Sequence, residues 1–426
     1  MLNEFEIQLV AAIAESRPVC FEPEEKAVLR AEVLRRLLLE MPPDGKMTKV
    51  ALPGRCLTIE GALIEGRVEL DDARGGEGGE IPALVFRRCT FDSGFSGNHG
   101  RFARLGFLDC QFEAPPRPES PSISLNGATI GSDVDISDSR GLTEEGAFWV
   151  EARGALVDGM FVAARARLRG PVPREKAPDT EYGRLALHLG QAHVTGDMIL
   201  MPGFAAIGGM SIQNARVDGD IWARGALFTT GEGSAFKASY ARLAGYVSFG
   251  TNPGEDGVPE RTKVVGKMDF YGAEIGGSVE LTGAMVGWSD SSPLAQKADY
   301  LALGFYRAKI DGHVTMEAEI ASDHGMPFEA YGLVSLDAVE IGTFLSLNGA
   351  ELNAALGPHP PGMAGLSLNH ARIGASCGGV RRWAPRRRRH TCPPATVRFP
   401  VEGCTWRATW CWTALPSRAI STAPAR

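Results

Sequence analysis

Long apolar runs are missing from this 426-residue chain. No segment approaches the roughly 18 apolar residues that a membrane-spanning helix requires. The start, MLNEFEIQLVAAIAESRP, sets acids before only about eight apolar residues in a row, where a secretory signal wants a basic start and a longer core. Cysteine is sparse at eight residues, and no C-x-x-C pair offers zinc-type spacing. No G-x-G-x-x-G follows a strand pattern and opens a helix, so no dinucleotide site is predicted. No H-E-x-x-H and no cluster of His and Cys suggests a redox metal. The sequence therefore predicts no cofactor, no metal, a cytoplasmic location and reduced cysteines.

Glycine is what the chain has in excess, at 52 residues, and 44% of the chain is hydrophobic, enough to bury a core. Charge is split along the length. Residues 375–426 hold ten Arg and one acid, Glu402, which leaves residues 1–374 with 34 basic and 50 acidic side chains, a net of −16. Such a body favours basic protein partners over nucleic acid.

The glycines belong to a repeat. AHVTGDMIL starts at Ala192, ARVDGDIWA at Ala215, ARLAGYVSF at Ala241, AEIGGSVEL at Ala273 and AKIDGHVTM at Ala308. Copies also start at Ala128, Val339 and Ala371, and a looser one at Ala62. The shared form is A-x-[IVL]-x-G-x-[VIM]-x-[LIF]. Alternation with period 2 predicts strands. Glycine at Gly196, Gly219, Gly245, Gly277 and Gly312 predicts a corner where a Cβ would clash or φ must be positive. Each copy is then two short strands around a corner, and only stacking of copies closes a core. The fold class expected is all-β: a right-handed parallel β-helix, residues 46–375, behind a short N-terminal α-helical cap, residues 1–45. Long intervals such as 285–307 are expected to leave one corner of the coil as loops.

The cap is predicted from helical spacing. Phe5, Leu9, Val10 and Ile13 share one side of a first helix. Pro23 opens a second, with Val28, Leu29, Val33, Leu37 and Leu38 on its apolar face, and Pro42-Pro43-Asp44-Gly45 ends it. The segment 376–426 is foreign to the rest, rich in Arg, Pro, Trp and Cys. That composition is what a GC-rich gene yields out of frame, so a frameshifted, disordered tail is expected. An uncapped last coil would then expose strand edges and invite self-association.

The stretch LRAEVLRRLLLE, Leu29 to Glu40, followed by LTIEGALIEGRVEL, Leu57 to Leu70, resembles a group of uncharacterised bacterial, actinobacterial-type β-helix repeat proteins. Some of these carry the name membrane-associated oxidoreductase, and the resemblance implies peripheral association with the inner face of a membrane. A looser likeness to pentapeptide-repeat proteins implies that an acidic rod could mimic duplex DNA.

Candidate carboxylates sit at the strand breaks: Asp133, Asp135, Asp197, Asp218 and Asp220. Asp197 and Asp220 fill the same repeat slot and could lie on adjacent rungs, as paired acids of a carbohydrate-active β-helix enzyme would. The plainer reading is that Asp after Gly is a turn residue that accepts a backbone hydrogen bond. Asp71-Asp72, His99-Gly100 and Arg307-Ala308-Lys309 resemble polygalacturonase elements as fragments, too far apart in sequence to meet across adjacent coils. His188, His193 and His313 fall at outward phases and are expected to be solvated or stacked; Cys89 and Cys110 match in phase and are expected as small core fillers on neighbouring coils. The function expected is a non-enzymatic solenoid scaffold with an acidic interaction surface, with a carbohydrate-active enzyme or a peripheral membrane protein as alternatives.

Overall fold

The computed structural model describes residues 2–15, 17–22, 25–42, 56–75, 79–113, 120–171, 185–254, 258–287, 301–319, 325–352, 365–374, 395–398 and 407–410. The chain divides into two compact units, Met1–Ala375 and Ser376–Arg426.

In the first unit each repeat copy becomes two strands about a corner. The copy from Ala215 gives Arg216–Val217 and Ile221–Trp222, and the copy from Ala273 gives Glu274–Ile275 and Val279–Glu280. First strands line up in a ten-stranded parallel sheet, and second strands in a twelve-stranded one. Register sets like on like. Val194, Val217, Leu243, Ile275 and Ile310 stack in one row. Met198, Ile221, Val247, Val279 and Val314 stack in the next. A third sheet of 21 strands closes the coil in two columns, because Leu227–Lys237 and Lys263–Asp269 each run through both. The body is an all-β parallel β-helix.

The inward rows form its core. Every side chain of the Val194 row is at most 1% exposed, so each contributes about 1.5–3 kcal/mol of burial. Phenylalanines stack along the axis as well, with ring centroids 4.8 Å apart for Phe91 and Phe112 and 4.5 Å for Phe112 and Phe148.

The corner glycines answer to crowding, not to dihedral angle. Gly196, Gly219, Gly245, Gly277 and Gly312 are absent from the positive-φ residues. A Cβ on Gly219 would lie 2.6 Å from the Gly196 carbonyl carbon, and one on Gly277 would lie 2.4 Å from Gly245 O. Glycine rests on glycine from rung to rung, and the Gly277 amide donates to Gly245 O at 3.1 Å.

Insertions leave the coil at two corners, not one. Gly141 to Val150, Arg169 to Leu187 and Gly287 to Leu301 connect the two columns of the large sheet. The antiparallel hairpin of Thr251–Pro253 and Pro259–Arg261 instead follows the twelve-stranded face.

The N-terminal segment departs from the expected pair of helices. Helix α1, Glu4–Ala14, is capped by Asn3, whose Oδ1 accepts the Glu6 amide at 2.8 Å. Glu6 is fully buried and holds Arg30 at 2.6 Å. Helix α2 covers only Ala31–Leu38. Val28–Arg30 before it is a strand, paired parallel with Leu63–Glu65, and Val19–Cys20 pairs with Ile59 and Glu60. Pairing with the next rung overrides the helical spacing of Val28 and Leu29. Helix α2 covers the edge where the rung's next strand would lie: Arg35 Nε donates to Glu69 O at 3.0 Å.

In the second unit Ala395–Arg398 and Arg407–Trp410 pair antiparallel. The expected out-of-frame tail otherwise falls on residues outside those described. Among the described residues no helix is long and apolar enough to cross a membrane.

Candidate functional site

The corner between the ten- and twelve-stranded faces gathers three of the five candidate carboxylates in one slot. Register runs Asp133, Met160, Asp197, Asp220, Tyr246, Ser278 and His313, each just before its strand on the twelve-stranded face. Asp197 and Asp220 are therefore rung neighbours, as the repeat phase requires. Their oxygens face the backbone. Asp133 Oδ1 accepts the Met160 amide at 3.0 Å, Asp197 Oδ1 the Asp220 amide at 2.8 Å, and Asp220 Oδ1 the Tyr246 amide at 2.6 Å. Ser278 Oγ does the same for the His313 amide at 3.0 Å. The corner residue clips the next rung to its own, which a hydroxyl does as well as a carboxylate.

Asp135 and Asp218 lie apart from that slot. Asp135 Oδ1 accepts the hydroxyl of Ser137 at 2.6 Å and its amide at 3.0 Å. Asp218 sits on the ten-stranded face, 2.6 Å from Arg216 Nε and 2.8 Å from His193 Nε2. The Arg216 hydrogen bond, with that of His193, holds the Asp218 carboxyl below its ordinary value.

A denser cluster, which the repeat pattern did not single out, lies on the outer face of the twelve-stranded sheet. Arg224 binds Glu280 two rungs on and donates from Nε to Ser248 Oγ at 2.7 Å. Tyr246 Oη donates to Glu280 Oε2 at 2.6 Å, and Ser248 Oγ at 2.9 Å. Trp222 flanks it, 5.7 Å from the Tyr246 ring and 5.9 Å from the Arg224 guanidinium. Burial opposes ionisation of Glu280, yet the bonds from Tyr246 and Ser248 and the Arg224 charge outweigh it and leave its carboxyl below the ordinary range. Burial, with Glu280 alongside, raises the Tyr246 phenol. The signal was legible only in part: Trp222, Ser248 and Glu280 share one outward phase, but Arg224 and Glu280 are 56 positions apart.

On the first column of the large sheet the acids are arranged differently. Glu65, Asp92 and Glu113 follow directly on the register set Ile64, Phe91 and Phe112, so they stand on three successive rungs of one face. Glu65 and Glu113 are exposed. Among the described residues neither makes an ion pair within 4 Å, although Arg30 is the register neighbour of Glu65 and its charge acts on it. Asp92 Oδ1 accepts the Gly66 amide at 2.8 Å.

The remaining candidates are placed as follows. His313 stacks on Phe344 with centroids 4.6 Å apart. His188 does point outward, but it is only 7% exposed; burial, with the Arg153 and Lys237 charges, pushes its imidazole down to about 4. Expecting it to be solvated was therefore wrong: phase fixes direction, not cover. Cys89 and Cys110 are buried core fillers on neighbouring coils; burial pushes the Cys89 thiol up to about 11. Asp72 and His99, contrary to expectation, occupy one corner slot on adjacent rungs, each with a positive φ and each donating its amide to the following rung. Arg307 fills the same slot far along the axis. Among the described residues no three of His, Cys, Asp and Glu converge as metal ligands. Comparison of the chain with protein-family models, with curated proteins and with solved structures gave no match.

Proposed function

We propose that the β-helical unit is a non-enzymatic scaffold whose acidic outer surface docks a basic protein partner. The observation that carries this reading is the column Glu65, Asp92 and Glu113 on successive rungs. Strand neighbours stand about 4.8 Å apart, and like charges directly opposite one another repel. A partner carrying Lys or Arg at matching spacing would relieve that repulsion. The corner acids support the same reading, since Asp133, Asp197 and Asp220 are spent on backbone amides. A cytoplasmic location belongs to it. Isothermal titration with a lysine-rich polypeptide tests it. The variant Glu65→Gln/Asp92→Asn/Glu113→Gln should bind at least fivefold more weakly than the unaltered chain; equal affinity overturns the reading.

A second reading, a carbohydrate-active protein, draws on the Trp222, Arg224, Tyr246 and Glu280 cluster, which sets two aromatic rings beside a carboxylate. Release of reducing sugar from a polysaccharide panel, lost in Glu280→Gln, would favour it over the scaffold.

A further inference from the structure

Arg140 and Arg167 are direct register partners on adjacent parallel strands, both exposed on the outer face of the large sheet. Two guanidinium groups stacked about 4.8 Å apart repel. Elsewhere this chain neutralises such a pair. Arg216 stacks on Arg242, but Arg216 binds Asp218 at 2.6 Å and Arg242 lies 3.6 Å from Glu274. Arg140 and Arg167 make no ion pair and no side-chain hydrogen bond with any described residue. The rows on either side are Gln111 and Ala205, which carry no charge. The nearest carboxylate by register, Glu113, is diagonal to Arg140 and pairs with no described residue. Asp138 is taken by Arg165 at 2.6 Å. On the same strand and face as Arg167, two residues on, stands Arg169, whose Nε is buried and has no hydrogen-bond partner. A buried N–H left unbonded costs about 1–3 kcal/mol.

We infer that Arg140, Arg167 and Arg169 form a binding site for a phosphoryl group. A guanidinium presents its donors as a planar fork suited to oxyanions. Two exposed forks on adjacent rungs match a tetrahedral dianion, whose three free oxygens can engage both, and the half-buried Arg169 guanidinium beside them adds a third positive charge. A carboxylate has two oxygens and one charge, and leaves one fork unmet. In a body with a net charge of −16 the site is a local reversal of sign. The inference is independent of the scaffold reading, which concerns other rungs of the same face.

Pyrophosphate titrated calorimetrically into the full chain tests it, alongside flotation with phosphatidylcholine vesicles that contain or lack phosphatidate. The comparison is with Arg140→Gln/Arg167→Gln. The ten arginines of residues 375–426 are common to both proteins, so the difference reads this face alone. Pyrophosphate should bind the double variant at least tenfold more weakly. Loss of phosphatidate-dependent flotation without any pyrophosphate binding supports the site and identifies a lipid headgroup as its source. Equal behaviour of both proteins toward both probes overturns it. The thermal midpoint at low salt, without probe, separates a structural role. Relief of repulsion holds or raises the midpoint of the variant, whereas a fall of several degrees means the arginines hold the fold and overturns the proposal.

Discussion

Asp197 and Asp220 stand on adjacent rungs in a single corner slot, and the Asp220 amide donates to Asp197 Oδ1 at 2.8 Å. The bond needs an oxygen acceptor and nothing more. Asp197→Ala should therefore destabilise the chain by about 1–2 kcal/mol, the cost of an orphaned amide. Asp197→Asn keeps an acceptor and should stay within about 0.5 kcal/mol. Urea unfolding of the two variants checks this. Equal losses in both would mean that the charge matters, and would return Asp197 and Asp220 to consideration as a working carboxylate pair.

Gly245 tests the crowding of the same corner. A Cβ there would meet Asp220 Oδ1 at 2.3 Å and Gly219 O at 2.5 Å. Gly245→Ala must push two rungs apart, at about 1–3 kcal/mol or more. Gly325, where the nearest atom to an added Cβ among the described residues is Glu319 O at 3.6 Å, gives the comparison; Gly325→Ala should be within about 0.5 kcal/mol of neutral. Thermal unfolding that ranks the two alike would remove close approach as the reason for the repeat glycine.

The axial logic of the coil was written in the sequence because it is periodic. Val194, Val217, Ile275 and Ile310 turn inward because alternation leaves them one face that excludes water, and Asp197 falls against Asp220 because phase carries from copy to copy. What lay beyond reach was set across rungs of unequal length. Arg224 meets Glu280 only when the intervening insertion, Thr251–Pro253 to Pro259–Arg261, is folded out of the count. The strand Val28–Arg30 reads as helix because its partner, Leu63–Glu65, is remote in sequence. Glu65, Asp92 and Glu113 were missed for the same reason, since the first rungs carry only the loose form of the repeat.

Thiol chemistry should divide the first unit in two. Cys20 and Cys56 are exposed, and Cys89 and Cys110 are buried, with burial raising both buried thiols. The thiolate is the reactive form, and a thiol held near 11 supplies almost none at pH 8. Brief iodoacetamide treatment of the native chain, followed by peptide mapping, should label Cys20 and Cys56 and spare the buried pair until denaturant is added. Labelling of Cys89 at the rate of Cys56 would contradict the packing of the first coils.

His188 carries the clearest pH dependence. Its imidazole is held at about 4 in the folded chain, against an ordinary 6.5, by burial and by the charges of Arg153 and Lys237. As the pH drops below 6.5 the unfolded chain takes up a proton that the folded chain refuses. The His188 contribution is therefore fully present above 6.5 and is lost progressively as pH falls toward 4, at up to about 1.4 kcal/mol per pH unit. Replacing the ring removes the linkage, so His188→Leu should lose about 2 kcal/mol less stability than the unaltered chain between pH 7 and pH 5. Urea denaturation at both pH values measures the difference directly. Parallel losses in the two proteins would mean that His188 titrates near its ordinary value and is not covered.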